Sequence, residues 1–168
     1  MSQPDLSIVI PVYNRGDVIR YTLESIQRAR AGLSVEVIVV DDGSQVPAAD
    51  SIRTLGYSPE RIIRQENRGL LFARLAGLAA VTGRHTLFLD SDDLVSTAKL
   101  RLQVEALDRT NADVSYTDTA RITLDGDFDE LAVFPDSPAA ATDDGQEFFL
   151  LIQPAPHSPV FRTEFLRQ

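Results

Sequence analysis

The sequence predicts an α/β fold in which helices flank a mostly parallel β-sheet. Short and almost wholly apolar runs recur along the chain, segments with helical spacing separate them, and turn residues close each run. Strands of a parallel sheet are buried on both faces, so they appear as continuous apolar runs rather than as an apolar–polar alternation. Regular alternation of such strands with helices is typical of a parallel α/β sheet.

Four apolar runs are predicted to form the strands of this sheet, and weaker patterns extend it. The four runs are residues 7–12, 35–40, 61–64 and 85–89, of which 61–64 is the most polar. Further strands are predicted at 114–117, at 121–124 and, as a fragment, at 159–161. The acid-rich stretch 125–145 is predicted to be a long loop or lid.

The predicted helices follow turn residues and end near glycines. Asp17 is the candidate N-cap of the first helix and Gly32 its stop. Helices are also predicted at 47–55, 70–82, 96–110 and 147–152. The third helix carries Leu71, Leu75, Leu78 and Ala79 on one face, and the fourth places Leu100, Val104 and Leu107 inward.

Composition limits the possible functions. The 168 residues suffice for one domain with a sizeable core, and 43% hydrophobic with 24% charged residues is ordinary globular composition. A net charge of −9 argues against a nucleic-acid surface, and the lack of cysteine excludes disulfides and thiolate metal sites. Neither a signal peptide nor an apolar stretch of about 20 residues is present, so we expect a cytoplasmic protein with at most peripheral contact at the inner membrane face.

Polar clusters follow three of the predicted strands. They are Tyr13-Asn14, Asp41-Asp42-Gly43-Ser44 and Asp90-Ser91-Asp92-Asp93. Ligands of such sheets bind at the carboxyl ends of the strands, where these clusters are expected to meet. Crowded carboxylates raise one another's pKa unless a positive charge lies between them. The acids are therefore either turn and capping residues or the ligands of a hard cation such as Mg²⁺, which takes one or two carboxylates plus substrate phosphates.

Four ordered motifs resemble those of the family 2 glycosyltransferases, which have the GT-A fold. They are residues 7–15 (SIVIPVYNR), 40–44 (VDDGS), 67–69 (NRG) leading to Ala73-Arg74, and 89–93 (LDSDD). The resemblance covers residues 6 to about 118. It implies a nucleotide-sugar (donor) binding subdomain at 1–118, followed at 119–168 by the incomplete start of an acceptor-side subdomain.

The resemblance also implies roles for residues of the three clusters. Pro11 and Tyr13 would border the base of the donor, Asn14 would join the nucleotide site, and Asp42 would accept a hydrogen bond from the base N–H, which favours uracil or thymine. Tyr13 is alternatively a packing residue.

At the phosphate end, Arg68 or Arg74 would pair with the diphosphate, although Arg74 is equally read as an ion-pair partner. Asp90 would contact the ribose or, through water, the metal, with Ser91 beside it. Asp92 would bind Mn²⁺ or Mg²⁺.

No catalytic base is assigned, because the acids of the second half match no family motif. Asp143, Asp144 and Glu147 are interpreted as lid charges and as the first turn of a helix. The chain is therefore expected to be the donor-binding part of a longer, inverting enzyme. Its acceptor is expected to be a saccharide, a lipid-linked molecule or another compound. A homodimer is possible.

Three other enzyme or signalling classes fit the sequence less well. A sugar nucleotidyltransferase would carry a Gly-rich basic loop after the first strand, and a dehydrogenase would carry G-x-G-x-x-G. A receiver domain needs a lysine after a late strand, whereas the only lysine, Lys99, falls in a predicted helix. The alternative left open is a non-catalytic nucleotide-sugar-binding or protein-interaction domain of the same fold.

Overall fold

The computed structural model describes residues 2–30, 32–117, 119–124, 131–135 and 158–168. The strands are β1 (Leu6–Val12), β2 (Val35–Asp41), β3 (Arg61–Arg64), β4 (His85–Phe88), β5 (Val114–Ser115), β6 (Ala120–Leu124), β7 (Leu131–Pro135) and β8 (Val160–Arg162). The helices are α1 (Ile19–Ala29), α2 (Ala48–Thr54), α3 (Leu70–Ala80), α4 (Lys99–Thr110) and a 3₁₀ turn, Phe165–Arg167.

Six of the strands form one sheet in the order β3-β2-β1-β4-β8-β5. The four strands β3, β2, β1 and β4 are parallel, whereas β8 runs antiparallel to both of its neighbours. The predicted mostly parallel sheet is therefore confirmed. Residues 160–162 belong to the second predicted subdomain but form β8 of this main sheet. The subdomain boundary at 118 stays a prediction.

Helices cover both faces of the sheet, which is why β1 and β2 at its centre are mostly apolar. One face packs Ile8 and Ile10 of β1 against α1, α2 and α4, and the other packs Val9 against α3. The predicted inward residues of α4 are buried, with Leu100, Val104 and Leu107 at most 2% exposed. In the described part of the chain, no helix combines the length and the apolar character needed to cross a membrane.

The packing of α3 depends on its small residues. Ala73 and Gly77 are its buried positions, whereas Leu71 and Leu75 are 66% and 50% exposed. A Cβ atom on Gly77 would lie 2.2 Å from Cγ1 of Val9, so only glycine permits this approach to β1. Leu71 and Leu75 of the predicted apolar stripe consequently lie on the outer face of the helix, whereas Leu78 is half-buried and packs against the core.

Several predicted boundaries are wrong. Asp17 does not cap α1, because Val18 occupies the N-cap position and the N–H groups of Val18 and Ile19 donate to the carbonyl of Arg15. Strand β5 ends at Ser115 rather than at 117, and α4 begins at Lys99 rather than at 96. Residues 131–135 of the predicted lid form β7, which pairs with β6. The predicted helix 147–152, with Asp143, Asp144 and Glu147, lies outside the described residues.

Candidate functional site

The polar clusters after β1 and β2 contact each other at the carboxyl edge of the sheet. The N–H of Asn14 donates to Oγ of Ser44 at 3.0 Å, and Oδ1 of Asn14 accepts from the N–H of Gln45 at 2.8 Å. Asn14 has a φ of 52°, in the left-handed region that asparagine tolerates better than most residues. The side chain of this predicted nucleotide-binding residue therefore joins the two loops.

The two adjacent acids of the second cluster have separate hydrogen-bond networks. Asp41 is 1% exposed, and its carboxylate accepts from the N–H groups of Ser44 and Ala48 and from Nη1 of Arg64 at 2.6 Å. Burial raises the pKa of Asp41, but these hydrogen bonds and the Arg64 charge outweigh it and leave the pKa lowered. Asp41 thus shapes the turn and the start of α2.

We expect Asp41→Asn to lower the free energy of unfolding by about 2 kcal/mol, because the amide has one acceptor oxygen and turns an NH₂ group toward a donor. Urea unfolding followed by far-UV circular dichroism measures the change. The control is Asp50→Asn, which removes an exposed ion pair with Arg53 and is expected to change stability by less than about 0.5 kcal/mol. Equal effects of the two variants would contradict the structural role of Asp41.

Asp42 organises the segment that precedes α3. Its Oδ1 accepts from Nε2 of Gln65 at 2.7 Å and from the N–H of Arg68 at 2.9 Å, and its Oδ2 accepts from the N–H of Gly69 at 2.8 Å. Burial raises the pKa of Asp42, but the hydrogen bonds from these three donors lower it by more than burial raises it. The pKa of Asp42 is therefore below its ordinary value. The carboxylate is 4% exposed and ionised, with acceptor capacity left on Oδ2.

The positive partner of Asp90 is Arg74. Nη2 of Arg74 lies 2.7 Å from Oδ1 of Asp90, and the two side chains are 21% and 31% exposed. Arg74 extends from α3 to the end of β4, so the ion pair links the third and fourth of the predicted motifs. Of the two interpretations of Arg74, the ion pair is therefore observed. Its Nε is buried and has no hydrogen-bond partner among the described residues.

The acidic loop, residues 90–95, presents Asp92 to solvent. Asp92 is exposed, Ser91 is 6% exposed, and the N–H of Asp93 donates to the carbonyl of Asp90 at 3.1 Å in a tight turn. The part of the chain that the structure describes has no cluster of three or more His, Cys, Asp or Glu side chains able to hold a metal. The carboxylates of Asp90 and Asp92 still fit a hard cation, because Mg²⁺ is typically held by one or two carboxylates together with substrate phosphates.

The remaining predicted residues lie along the same edge. Tyr13 is 50% exposed, and the guanidinium of Arg68 lies 4.3 Å from the ring centre of Phe72. Pro11 is buried in β1 and lies opposite Val40 of β2. The pairing of β1 with β4 ends at Val9, so the missing N–H of Pro11 interrupts no hydrogen bond to β4.

Sequence reasoning missed four polar residues that contact this site, one of which is Arg64 with its ion pair to Asp41. Gln65 binds Asp42, and the α1 hydroxyls of Thr22 and Ser25 bind the backbone of the acidic loop. No motif marks Gln65. For the hydroxyls, the available signal is their spacing of three residues on a helix whose same side carries Ile19 and Ile26.

Comparison with known proteins identifies a relative over about three quarters of the chain and solved structures of similar fold over nearly all of it. The succinoglycan biosynthesis protein ExoO of Rhizobium meliloti is 36% identical over 124 residues, which are 73% of this chain and 35% of that protein. The solved structure of Staphylococcus aureus TarS (residues 1–349) superposes with a TM-score of 0.72 at 21% identity, over 97% of this chain and 48% of that one. Mannosyltransferase PcManGT of Pyrobaculum calidifontis, solved with GDP-Man and Mn²⁺, has a TM-score of 0.68 at 18% identity, over 99% and 47%.

The chain thus spans about a third of ExoO and about half of each solved structure. These likenesses confirm the predicted GT-A fold. The sequence profile described as Glycosyl transferase family 2 matches residues 7–165, and the chain belongs to this family.

Proposed function

We propose that this chain binds the nucleotide diphosphate sugar of a metal-dependent glycosyltransferase, with UDP- or dTDP-sugars as donors. The observation that supports the proposal most directly is the convergence of Asn14, Asp42, Arg74 and Asp90 at one edge of the sheet. TarS has been solved with UDP and with UDP-GlcNAc, and PcManGT with GDP-Man and Mn²⁺. The donor base would meet exposed Tyr13 and the free acceptor capacity of Asp42.

The diphosphate would bind between the arginines and the acidic loop. Arg74 already pairs with Asp90, so a bridging cation would add to a partly neutralised site rather than to bare carboxylates. Asp92 is the exposed acid of the loop and the proposed principal ligand of Mn²⁺ or Mg²⁺. When bound, the cation would neutralise charge on the departing diphosphate.

The remaining features of the function are proposals as well. Transfer with inversion needs a carboxylate base on an acceptor hydroxyl, and none is assigned among the residues of this chain. The acceptor is proposed to be a saccharide or a lipid-linked saccharide, in line with the name of ExoO as a succinoglycan biosynthesis protein. A homodimer would cover exposed Leu71 and Leu75.

Titration with UDP, dTDP, GDP and UMP, each with and without Mn²⁺, tests the donor site. We expect Mn²⁺ to tighten UDP binding about tenfold, or about 1.4 kcal/mol, and to have little effect on UMP, which lacks the second phosphate. Asp92→Ala is expected to remove this tightening and to leave metal-free UDP affinity within about threefold.

The matched control is Asp113→Ala, which removes the same charge just before β5, at the opposite edge of the sheet, and is expected to retain the tightening. Retention of metal-dependent binding by Asp92→Ala would contradict its role as ligand. If no nucleoside diphosphate binds the unmodified chain, the donor-site proposal fails and a protein-interaction domain becomes the better interpretation.

A further inference from the structure

Two buried hydroxyl groups of α1 face the acidic loop. Thr22 and Ser25 are 0% and 2% exposed, and they lie three residues apart on the helix, between the core residues Ile19 and Ile26. Positions with this spacing share one helix face. A buried hydroxyl without a hydrogen-bond partner destabilises a protein, so the partners of these two groups matter.

Both hydroxyls bind the backbone of the loop, on either side of Asp92. Oγ1 of Thr22 donates to the carbonyl of Ser91 at 2.8 Å, and Oγ of Ser25 accepts from the N–H of Val95 at 3.2 Å. Ser25 in turn donates to the carbonyl of Thr22 at 2.8 Å, which fixes the orientation of its hydroxyl. The loop backbone is thus anchored to α1 immediately before and three residues after the exposed acid.

These contacts matter because the loop itself has little regular structure. No helix or strand contains residues 89–98, and the proposed ligand Asp92 is exposed. Rigid support of the backbone therefore has to come from neighbouring elements. In metal sites, side chains that orient the ligands commonly change metal affinity by about 10- to 100-fold when they are mutated.

Helix α1 also follows the loop that carries Tyr13 and Asn14. The carbonyl of Arg15 accepts the N–H groups of Val18 and Ile19, so the loop after β1 continues directly into the helix. One rigid helix therefore supports both the proposed nucleoside end and the proposed metal end of the site.

We infer that Thr22 and Ser25 are positioning residues that hold the acidic loop in the geometry in which Asp92 and the donor diphosphate share a cation. This inference rests on the proposed function. A purely structural role would lower stability alone, whereas a positioning role would selectively reduce the gain in nucleotide affinity that the metal provides. The quantity that separates them is the ratio of the UDP dissociation constants without and with Mn²⁺.

Thr22→Val keeps the shape of the side chain and removes its donor, leaving the Ser91 carbonyl without this partner. We expect it to reduce the Mn²⁺-dependent ratio about tenfold while metal-free UDP affinity stays within about twofold. Thr22→Ser retains the hydroxyl and is expected to restore most of the ratio. The matched control is Thr54→Val on α2, whose hydroxyl donates to the carbonyl of Asp50 within the same helix and which should leave the ratio unchanged.

Circular dichroism establishes that each variant is folded before titration. If Thr22→Val does not fold, Ser25→Ala decides the question. It removes the acceptor of the Val95 N–H, together with the hydrogen bond from Ser25 to the Thr22 carbonyl within α1, and is also expected to reduce the ratio. A folded variant that keeps the full ratio overturns the inference and leaves the proposed function intact. An unmodified chain that shows no Mn²⁺-dependent tightening overturns both.

Discussion

Gly77→Val is expected to lower the free energy of unfolding by about 3 kcal/mol or more. The new Cβ would lie 2.2 Å from Cγ1 of Val9 and 3.3 Å from Cγ2 of Val40, both of which belong to fully buried core residues. Overpacking of a well-packed core typically costs about 1–3 kcal/mol, and valine adds two further methyl groups beyond the clashing atom. For a domain of this size, the melting temperature should fall by roughly 6–12 °C in a thermal scan.

Two comparisons isolate the cause of this loss. Ala79→Val introduces the same side chain at an exposed position of α3 and is expected to cost less than about 1 kcal/mol. The double variant Gly77→Ala with Val9→Ala should lose less free energy of unfolding than the two single variants lose in sum. The reason is that shortening Val9 removes the atom with which the new Cβ clashes. Strict additivity, or a melting temperature of Gly77→Val near that of the unmodified protein, would contradict the close packing of α3 on β1.

The functional consequence follows from what α3 carries. Displacement of the helix would move Arg74, whose Nη2 pairs with Asp90, and would disturb Gly69, whose N–H binds Asp42. The stability of this packing and the geometry of the proposed donor site are therefore linked through one glycine.

The strands could be predicted because their burial requires a simple pattern. Ile8 and Ile10 contact the α1 side of the sheet and Val9 contacts α3, so successive residues in the middle of β1 are apolar on both faces. The orientation of α3 could not be predicted in the same way. Its leucines form the stripe that ordinarily faces a core. The sheet instead requires the small residues, because β1 approaches the helix at Gly77.

The position of the candidate site could also be predicted, but the division of roles within it could not. Asp41 and Asp42 are adjacent and identical in type, yet the first caps α2 and the second holds the segment before α3. Nothing in the local sequence distinguishes them, since the distinction depends on which backbone N–H groups come close in the folded chain. Likewise, Arg74 was one of two candidate arginines, and only the fold brings it to Asp90.

A second large effect is expected from pH, through Lys99. This residue is the only lysine of the chain, is 9% exposed, and donates to three uncharged acceptors: Oε1 of Gln103, Oγ1 of Thr117 and the carbonyl of Ser158. Burial lowers its pKa from 10.5 to about 8. Between these two values the unfolded chain binds more protons than the folded chain, so stability should rise as the pH increases. The gain is at most about 3 kcal/mol.

Urea unfolding at pH 7, 8, 9 and 10 measures this rise, and Lys99→Met should abolish it. Titration of the partly buried tyrosines cannot produce the same rise. Burial raises the pKa of Tyr57 and Tyr116 above 10 in the folded chain, so their ionisation would lower the stability as the pH increases. Arg109→Met, which removes an exposed cation from the same helix, is the control and should leave the rise intact. An equal pH dependence in Lys99→Met would mean that Lys99 is fully solvated. It would then not connect Thr117 to Ser158 across the 41 residues that separate them in the sequence.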